Sequence, residues 1–445
     1  MKKRILLQYH ILSREYVIIE NIRKELEKLG HIVGFADFMD VEACLEFEPD
    51  IIITHPIRTD TDVKCLSLMK VATNAMIIPM VVEGYYNWDN YSEVLMYVGM
   101  AKCSDKLIDY YFEWGKKTAL AEGECLRNLG KITSLDKVKV FGYIPYEKDK
   151  MFNYYGDQKT LREYTEWKSA YDDIFLCLTG FHDADLSIEN IYIEQNFTAE
   201  EGTEEYLKEV NFYEKYFSYI KKYREKYFNV IAAIAEKYPD KGIVVKLHPV
   251  EIQRFKEREK FYEEKISCYP NVYILKEAFP NSVVLKDSKL MIHYGSTSVL
   301  EAYIHEVPSV LLTDETGDII RPVAGDMRFF SGTWYMDINN PDYIVNNIES
   351  VGFIKDDKVE SILKEGFSWE KNKNYSPSKD IALFLDGKLE GSKLDLSEQI
   401  DKNYIPVSYL NYKKKTILFI ILKQIIKLEF DKVKKYCKFY RRLSL

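Results

Sequence analysis

The sequence predicts an α/β protein built from two doubly wound, parallel-sheet halves. Three observations lead there. Short continuous apolar runs, such as those at 50–54 and 174–179, alternate with longer amphipathic stretches. Strands buried on both faces, with helices covering them, give this pattern. The alternation breaks once, between Tyr146 and Asp172, where charges and aromatics mix, and then starts again. A chain of 445 residues also exceeds what one ordinary core serves.

In the first half, Arg4–Tyr9 reads as a strand rather than as part of a signal peptide, because few apolar residues separate Arg4 from Gln8. An amphipathic helix over Glu15–Gly30 follows, closed by Gly30. Strands are expected at His31–Phe38, Asp50–Thr54, Met76–Val82, Lys106–Asp109 and Val138–Phe141, with a helix over Asp62–Asn74. The second half repeats the plan. Strands are expected at Ile174–Thr179, Ile243–Leu247, Val272–Ile274, Leu290–Ile292 and Ser309–Leu312, with a helix over Phe212–Tyr238. The resulting boundaries are 1–150 for a first Rossmann-like domain, 151–171 for the connection, 172–385 for a second Rossmann-like domain and 386–445 for a linker and terminal helix. Two such domains facing a cleft would hold a ligand between them.

Composition narrows the function classes. With 47% hydrophobic and 30% charged residues the chain is globular. Its net charge of −8 hides an asymmetry: from Asn411 onward eleven Lys/Arg face only Glu429 and Asp431. An acidic body with a basic tail excludes a nucleic-acid binder, whose basic surface belongs to the folded domain. Within that tail the longest apolar run, Ile417–Leu422, falls far short of the ~20 residues that span a bilayer. Lysines interleaved with Ile, Leu and Phe fit an amphipathic helix lying on an anionic membrane surface. The seven cysteines are dispersed, with no metal-ligand spacing, and read as buried thiols in a reducing compartment.

Two strand ends carry the chemistry. The strand ending at His293 runs into Gly295-Ser296-Thr297-Ser298 and then a helix with Glu301 one turn in. Gly295 permits close backbone approach, the three hydroxyls and backbone N–H groups suit a phosphate, and the helix N-terminus favours an anion. His248-Pro249 ends another buried strand, where an imidazole can donate to a phosphate or assist its departure. His293 itself is a cleft candidate with an equally plain structural explanation. Glu83, with Gly84, follows the fourth strand, where a carboxylate can take a proton from an acceptor hydroxyl. Arg14 and Glu15 follow the first strand, as acceptor contacts or loop supports. His10 and His55 also end strands, and loop packing explains them. Asp183 and Asp185 form a DxD pair that reads as a solvated loop, so no metal is expected.

Taken in order, these segments resemble the GT-B-fold surface-carbohydrate (capsule and lipopolysaccharide) biosynthesis glycosyltransferases, distantly like bacterial Kdo- and sialyltransferases. The resemblance rests on Ser13-Arg14-Glu15-Tyr16, Val82-Glu83-Gly84, Trp114-Gly115, Val140-Phe141-Gly142-Tyr143-Ile144-Pro145, His248-Pro249 and Gly295 to Glu301. Two departures stand out: Val82 replaces an acid before Glu83, and Tyr146-Glu147 follow Pro145 where the family continues with Arg and Asp. The resemblance implies a GT-B-like fold, with 1–150 as the acceptor domain and 172–385 as the donor domain, and sugar transfer from a nucleotide-sugar donor (CMP-, UDP- or another) to a glycan or lipid-linked glycan acceptor. It also implies a ribose-binding role for Glu301. With the basic 411–445 segment, the expected place is the cytoplasm, peripheral on the inner face of the plasma membrane, with a possible polysaccharide assembly complex as partner. Three alternatives stay open: a UDP-sugar 2-epimerase, a glycerol- or ribitol-phosphate transferase of the same fold, and a non-catalytic scaffold of the assembly complex.

Overall fold

The computed structural model describes residues 2–10, 12–82, 88–89, 94–95, 98, 104–147, 158–187, 202–254, 256–276, 279–314, 331–371 and 374–387. Two compact units divide the chain, one of residues 1–147 with 363–445, the other of 148–362.

The first unit opens with β1 (Arg4–Tyr9), α1 (Leu12–Lys28), β2 (Ile32–Asp37), α2 (Val41–Phe47), β3 (Ile51–Thr54), α3 (Asp60–Thr73) and β4 (Met76–Pro79). The four strands form one parallel sheet in the order β2-β1-β3-β4. On α1, Ile18, Ile19, Ile22 and Leu26 recur at helical spacing and are buried. Gly30, at φ 87°, ends the segment in the left-handed region. Helix α3 starts on a capping box, in which the Thr59 hydroxyl and the Asp62 carboxylate bond each other's backbone N–H.

Further along this unit come β5 (Tyr111–Glu113), α4 (Lys116–Asn128) and β6 (Val138–Val140), with β5 and β6 paired in parallel. The strand expected at Lys106–Asp109 is a turn instead. Ser104 O accepts from the Leu107 and Ile108 N–H groups, and Asp109 takes the Lys70 ammonium at 2.7 Å and the Ile77 N–H at 2.9 Å. The apolar pair at 107–108 is buried by that turn, so its hydrophobicity signalled core rather than strand.

The second unit contains α5 (Gln158–Lys168), β7 (Ile174–Leu178), α6 (Glu204–Lys237), β8 (Gly242–Lys246), α7 (Pro249–Arg254), α8 (Lys256–Ile266), β9 (Val272–Leu275), α9 (Asn281–Leu285), β10 (Ser288–His293), α10 (Val299–Ile304), β11 (Ser309–Thr313), β12 (Trp334–Asp337) and α11 (Pro341–Asn347). Its six strands are all parallel, in the order β12-β11-β10-β7-β8-β9. Helix α5 lies within the expected connection, yet its Trp167, and Tyr171 just after its end, donate to the Pro270 carbonyl of this unit. Tyrosines of α6 belong to the core: Tyr223 and Tyr227 are fully buried. Each spends its hydroxyl on a strand carbonyl, Tyr223 on Leu312 and Tyr227 on both Leu178 (2.8 Å) and Ile292 (3.2 Å).

Among the described residues two further helices follow, α12 (Asp357–Phe367) and α13 (Pro377–Gly387). Ile381, Ala382 and Leu385 of α13 join Ile5, Leu7 and Ile18 in one core cluster. The Glu147 carboxylate takes both the N–H and the hydroxyl of Ser378. These contacts place α13 with the first unit, not with the expected donor domain ending at 385; sequence distance hid a return across more than two hundred residues. Among the described cysteines, Cys44, Cys65, Cys125 and Cys177 are buried, but Cys268 is exposed. No described helix is long and apolar enough to cross a membrane. The terminal segment 411–445 lies outside the described residues.

The Trp-Gly and Gly-x-x-Pro motifs have a packing role. The Trp114 indole donates to Val81 O at 2.6 Å and stacks on Phe367, while Tyr375 bonds the backbone of Tyr143. A Cβ on Gly115 would stand 2.2 Å from the backbone of Gly366. Gly115→Ala is therefore expected to destabilise the fold by about 1–3 kcal/mol, read as a lower urea midpoint at unchanged m-value.

Candidate functional site

Parallel strands bring all their carboxyl ends to one edge, and ligands collect where the chain order along the sheet reverses. In the second unit β8 and β9 lie on one side of β7, and β10 to β12 on the other. The reversal falls between β7 and β10, where the Gly295–Ser298 turn leaves β10. The Tyr227 hydroxyl, bonded to the last residue of β7 and the penultimate residue of β10, ties that point from beneath.

The turn is shaped by His293, which is 0% exposed. Its Nδ1 accepts the N–H groups of Gly295 (3.1 Å) and Ser296 (3.2 Å), so Nε2 carries the proton and faces Thr333 Oγ1 at 3.4 Å. His293 is thus a former of the turn, the structural role that its place before the Ser/Thr turn allowed beside the cleft reading. Gly295 adopts φ 92°, the left-handed region that a side chain would strain. The Ser296 hydroxyl accepts the Ser298 N–H at 3.2 Å, and Thr297 at the tip is exposed.

These bonds revise the expected phosphate cradle. The N–H groups of Gly295, Ser296 and Ser298 already have partners within the turn, and α10 has only six residues. Hydroxyls remain the better donors. Ser298 does not cap α10 with its side chain; its Oγ accepts the Asn281 amide at 2.6 Å, which leaves the hydroxyl proton to give. Simple helix capping therefore does not account for this hydroxyl.

Glu301 stands behind the turn with a carboxylate oxygen, Oε2, buried and without a hydrogen-bond partner. Asn281 neighbours this carboxyl and favours its charged form, and its Oδ1 is also buried and unmatched. Burial pushes Glu301 up to about 7, against the opposing pull of Asn281 and of Lys246. Lys246, the last residue of β8, is pushed down to about 8 by its own burial, with Glu301 holding it up. Lys246 and Asn281 were missed in the sequence. Lys246 sits two residues before His248, a spacing that marks the strand edge but says nothing of burial.

His248 lies on the same edge. Its N–H goes to Thr179 Oγ1 at 3.1 Å and Glu251 Oε2 at 3.0 Å, and its Nδ1 accepts the Val250 N–H at 3.3 Å. Nε2 is then the proton-bearing nitrogen. The ring stacks on His182 with centroids 5.3 Å apart. Glu251, 1% exposed and also unforeseen, binds the Thr179 hydroxyl, the Phe181 and His248 N–H groups and the Tyr262 hydroxyl, locking the ends of β7 and β8 together. Of the DxD pair, Asp183 accepts the Tyr216 hydroxyl and Asp185 is clamped by Arg224. The described residues hold no group of three or more side chains suited to a metal ion.

In the first unit, Glu83 and the side chain of Arg14 lie outside the description. Glu15 is 1% exposed and accepts the His10 N–H at 2.8 Å, closing the β1–α1 turn, so it supports the loop. A buried carboxyl pair, Glu113 of β5 with Glu122 of α4, was not anticipated. Burial and the neighbouring Glu122 hold Glu113 well above the usual carboxylate range, and its Oε1 is unpartnered beside a small cavity lined by Met80, Trp114 and Tyr143.

No family model matches the sequence, and no curated protein does. Among solved structures, the wall teichoic acid polymerase TagF is similar with a TM-score of 0.50 at 12% identity, over 86% of this chain and 88% of that one. A UDP complex of S. aureus MnaA follows at 0.48 and 13%, covering 87% of this chain and 96% of that one. The Methanocaldococcus jannaschii UDP-GlcNAc 2-epimerase in complex with UDP-GlcNAc and UDP gives 0.47 and 16%, covering 87% and 100%. The likeness to TagF concerns the fold: the chain is an α/β protein of the GT-B-like kind, with two Rossmann-type units.

Removing the His293 ring leaves two turn N–H groups unmatched. His293→Ala is expected to cost about 1–3 kcal/mol in unfolding free energy, measured by urea denaturation; an unchanged midpoint would show that the turn does not depend on it.

Proposed function

We propose that the protein is a GT-B glycosyltransferase that moves a sugar from a nucleotide-sugar donor to a growing cell-surface glycan. The observation that carries this reading is the buried, unmatched Glu301 Oε2 behind the Ser/Thr turn at the chain reversal of the second sheet. A buried acceptor without a donor is costly, and a vicinal diol such as a ribose supplies two hydroxyl donors. The hydroxyls of Ser296, Thr297 and Ser298, with Gly295 allowing close approach, are assigned to the donor phosphates. Lys246 adds positive charge to the same edge.

His248 is assigned to the leaving group. As the bond from sugar C1 to the phosphate oxygen breaks, negative charge grows on the nucleotide, and the His248 Nε2–H is assigned as the donor that meets it, a role supported by Nδ1 being taken by the Val250 N–H. Glu251 holds that histidine's backbone and so sets its place. The basic 411–445 segment is assigned to an anionic membrane surface, near a lipid-linked or polymeric acceptor. An epimerase is the second reading, favoured by one observation: the paired acids Glu113 and Glu122, since proton exchange at a sugar carbon needs such a pair. They are nearly fully buried, which favours the transferase.

Thermal shift with CMP, CDP, UDP, GDP and their sugars tests the assignment. One nucleotide class is expected to stabilise the protein, by about 2.7 kcal/mol at a hundredfold excess over Kd. The Ser296→Ala/Glu301→Ala variant is expected to lose that shift while remaining folded. No shift with any nucleotide in a folded sample would sink the transferase reading and favour a scaffold.

A further inference from the structure

Three polar residues of the second unit meet beside the Ser/Thr turn: Ser298 just before α10, Glu301 within it, and Asn281 at the start of α9. Ser298 and Glu301 stand at the S-x-x-E spacing of a capping box, in which each side chain takes the other residue's backbone N–H. The box does not form. Ser298 makes no side-chain cap bond, and its own N–H goes to Ser296 Oγ at 3.2 Å. Asn281 stands against both side chains instead. Its Nδ2 donates to Ser298 Oγ at 2.6 Å, and it favours the charged form of the Glu301 carboxyl.

Asn281 is fixed in this place by its neighbours in the chain. Pro280 before it is extended at φ −60°, and Ser282, Val283, Val284 and Leu285 after it are buried. The other end of the amide, Oδ1, is buried without a hydrogen-bond partner, and so is Glu301 Oε2. A tie between α9 and the turn needs the nitrogen alone, so that tie does not account for the oxygen. Two unmatched acceptors on neighbouring side chains exceed what a finished core tolerates, and donors from a ligand would satisfy both. The oxygen lies one amide width from its nitrogen, which keeps the two acceptors within the compass of one small ring.

We propose that Asn281 is a specificity-determining residue of the donor site, its Oδ1 accepting one hydroxyl of the nucleotide's ribose while Glu301 Oε2 accepts the other. This rests on the transferase reading above and divides between two residues the diol that reading gives to Glu301. The ligand class that follows is a ribonucleotide with both ribose hydroxyls free. A 2′-deoxy or 3′-deoxy nucleotide leaves one of the two buried acceptors bare, which is the costly case. Asn281 also links the ribose end of the ligand to its phosphate end. Because Ser298 Oγ accepts from Nδ2, the proton of that hydroxyl is left to meet a phosphate oxygen.

The test measures affinity by titration calorimetry on wild type and Asn281→Leu. The ligands are the ribonucleotide that gives the thermal shift and its 2′-deoxy and 3′-deoxy analogues. Wild type is expected to bind each analogue about tenfold or more weakly than the ribonucleotide. Asn281→Leu is expected to lose the discrimination against one analogue and to keep that against the other, which Glu301 still reads. A variant that discriminates against both analogues as wild type does, or against neither, overturns the assignment of Asn281 and leaves the transferase reading intact. A wild type that binds either analogue as tightly as the ribonucleotide also overturns it. A wild type that binds no nucleotide overturns both readings. Should Asn281→Leu fail to fold or to bind, the Asn281 side-chain amide signal of ¹⁵N-labelled wild type decides. A shift with the ribonucleotide that one analogue fails to produce supports the proposal, and the same response to all three overturns it.

Discussion

Each main sheet of this protein is wholly parallel and reverses its strand order once, and the rest of the structure answers to that constraint. At a reversal, neighbouring strands send their chains in opposite directions, so backbone groups at the carboxyl edge lack the next strand to pair with. The second unit closes its reversal with buried side chains. Tyr227 takes carbonyls of β7 and β10, His293 takes two N–H groups of the turn, and Glu251 gathers four donors from the ends of β7 and β8 and from Tyr262. What these residues leave unmatched, chiefly on Glu301 and Asn281, defines where a polar ligand belongs.

Keeping Lys246 and Glu301 together in a buried place has an energetic consequence. From pH 4.5 to about 7 the unfolded chain releases the Glu301 proton while the folded protein keeps it, so stability from this group falls as pH rises through that window. Lys246 acts in the opposite sense. Between about 8 and 10.5 the unfolded chain holds the proton that the folded protein has lost, so its contribution rises with pH. Near neutrality both groups are held at a cost, one that a ligand offering hydroxyls and phosphate charge would offset. In the first unit, burial and the neighbouring Glu122 likewise hold the Glu113 carboxyl well above its usual range.

The parallel strands were legible because apolar runs such as Ile51–Ile53 and Val244–Val245 admit little else, and the GSTS turn was legible because glycine and hydroxyls after such a run have few uses. What escaped was set by partners far away in sequence. Leu107–Ile108 looked like a strand, and only Lys70 and Ile77, through Asp109, make it a turn. Helix α13 falls inside the bounds expected for the donor half in a stretch where a helix crossing back was open, and its seat on Ile5 and Ile18 returns it to the first unit. His293 and His248 both end strands and both offer Nδ1 to the local backbone; burial separates them, since His293 is fully enclosed with Nε2 facing Thr333 while His248 is part-exposed. Lys246, Asn281 and Glu251 carry no motif, and their burial is visible only once the sheets are assembled.

Hydrogen–deuterium exchange with and without bound nucleotide tests most directly whether the second sheet's reversal is the donor site. With UDP and CMP examined separately, one of them should slow amide exchange at 294–301 and along the neighbouring strand ends at 179–182 and 246–251, leaving the far helices unchanged. Protection confined to other segments, or none at saturating nucleotide, would contradict the assignment.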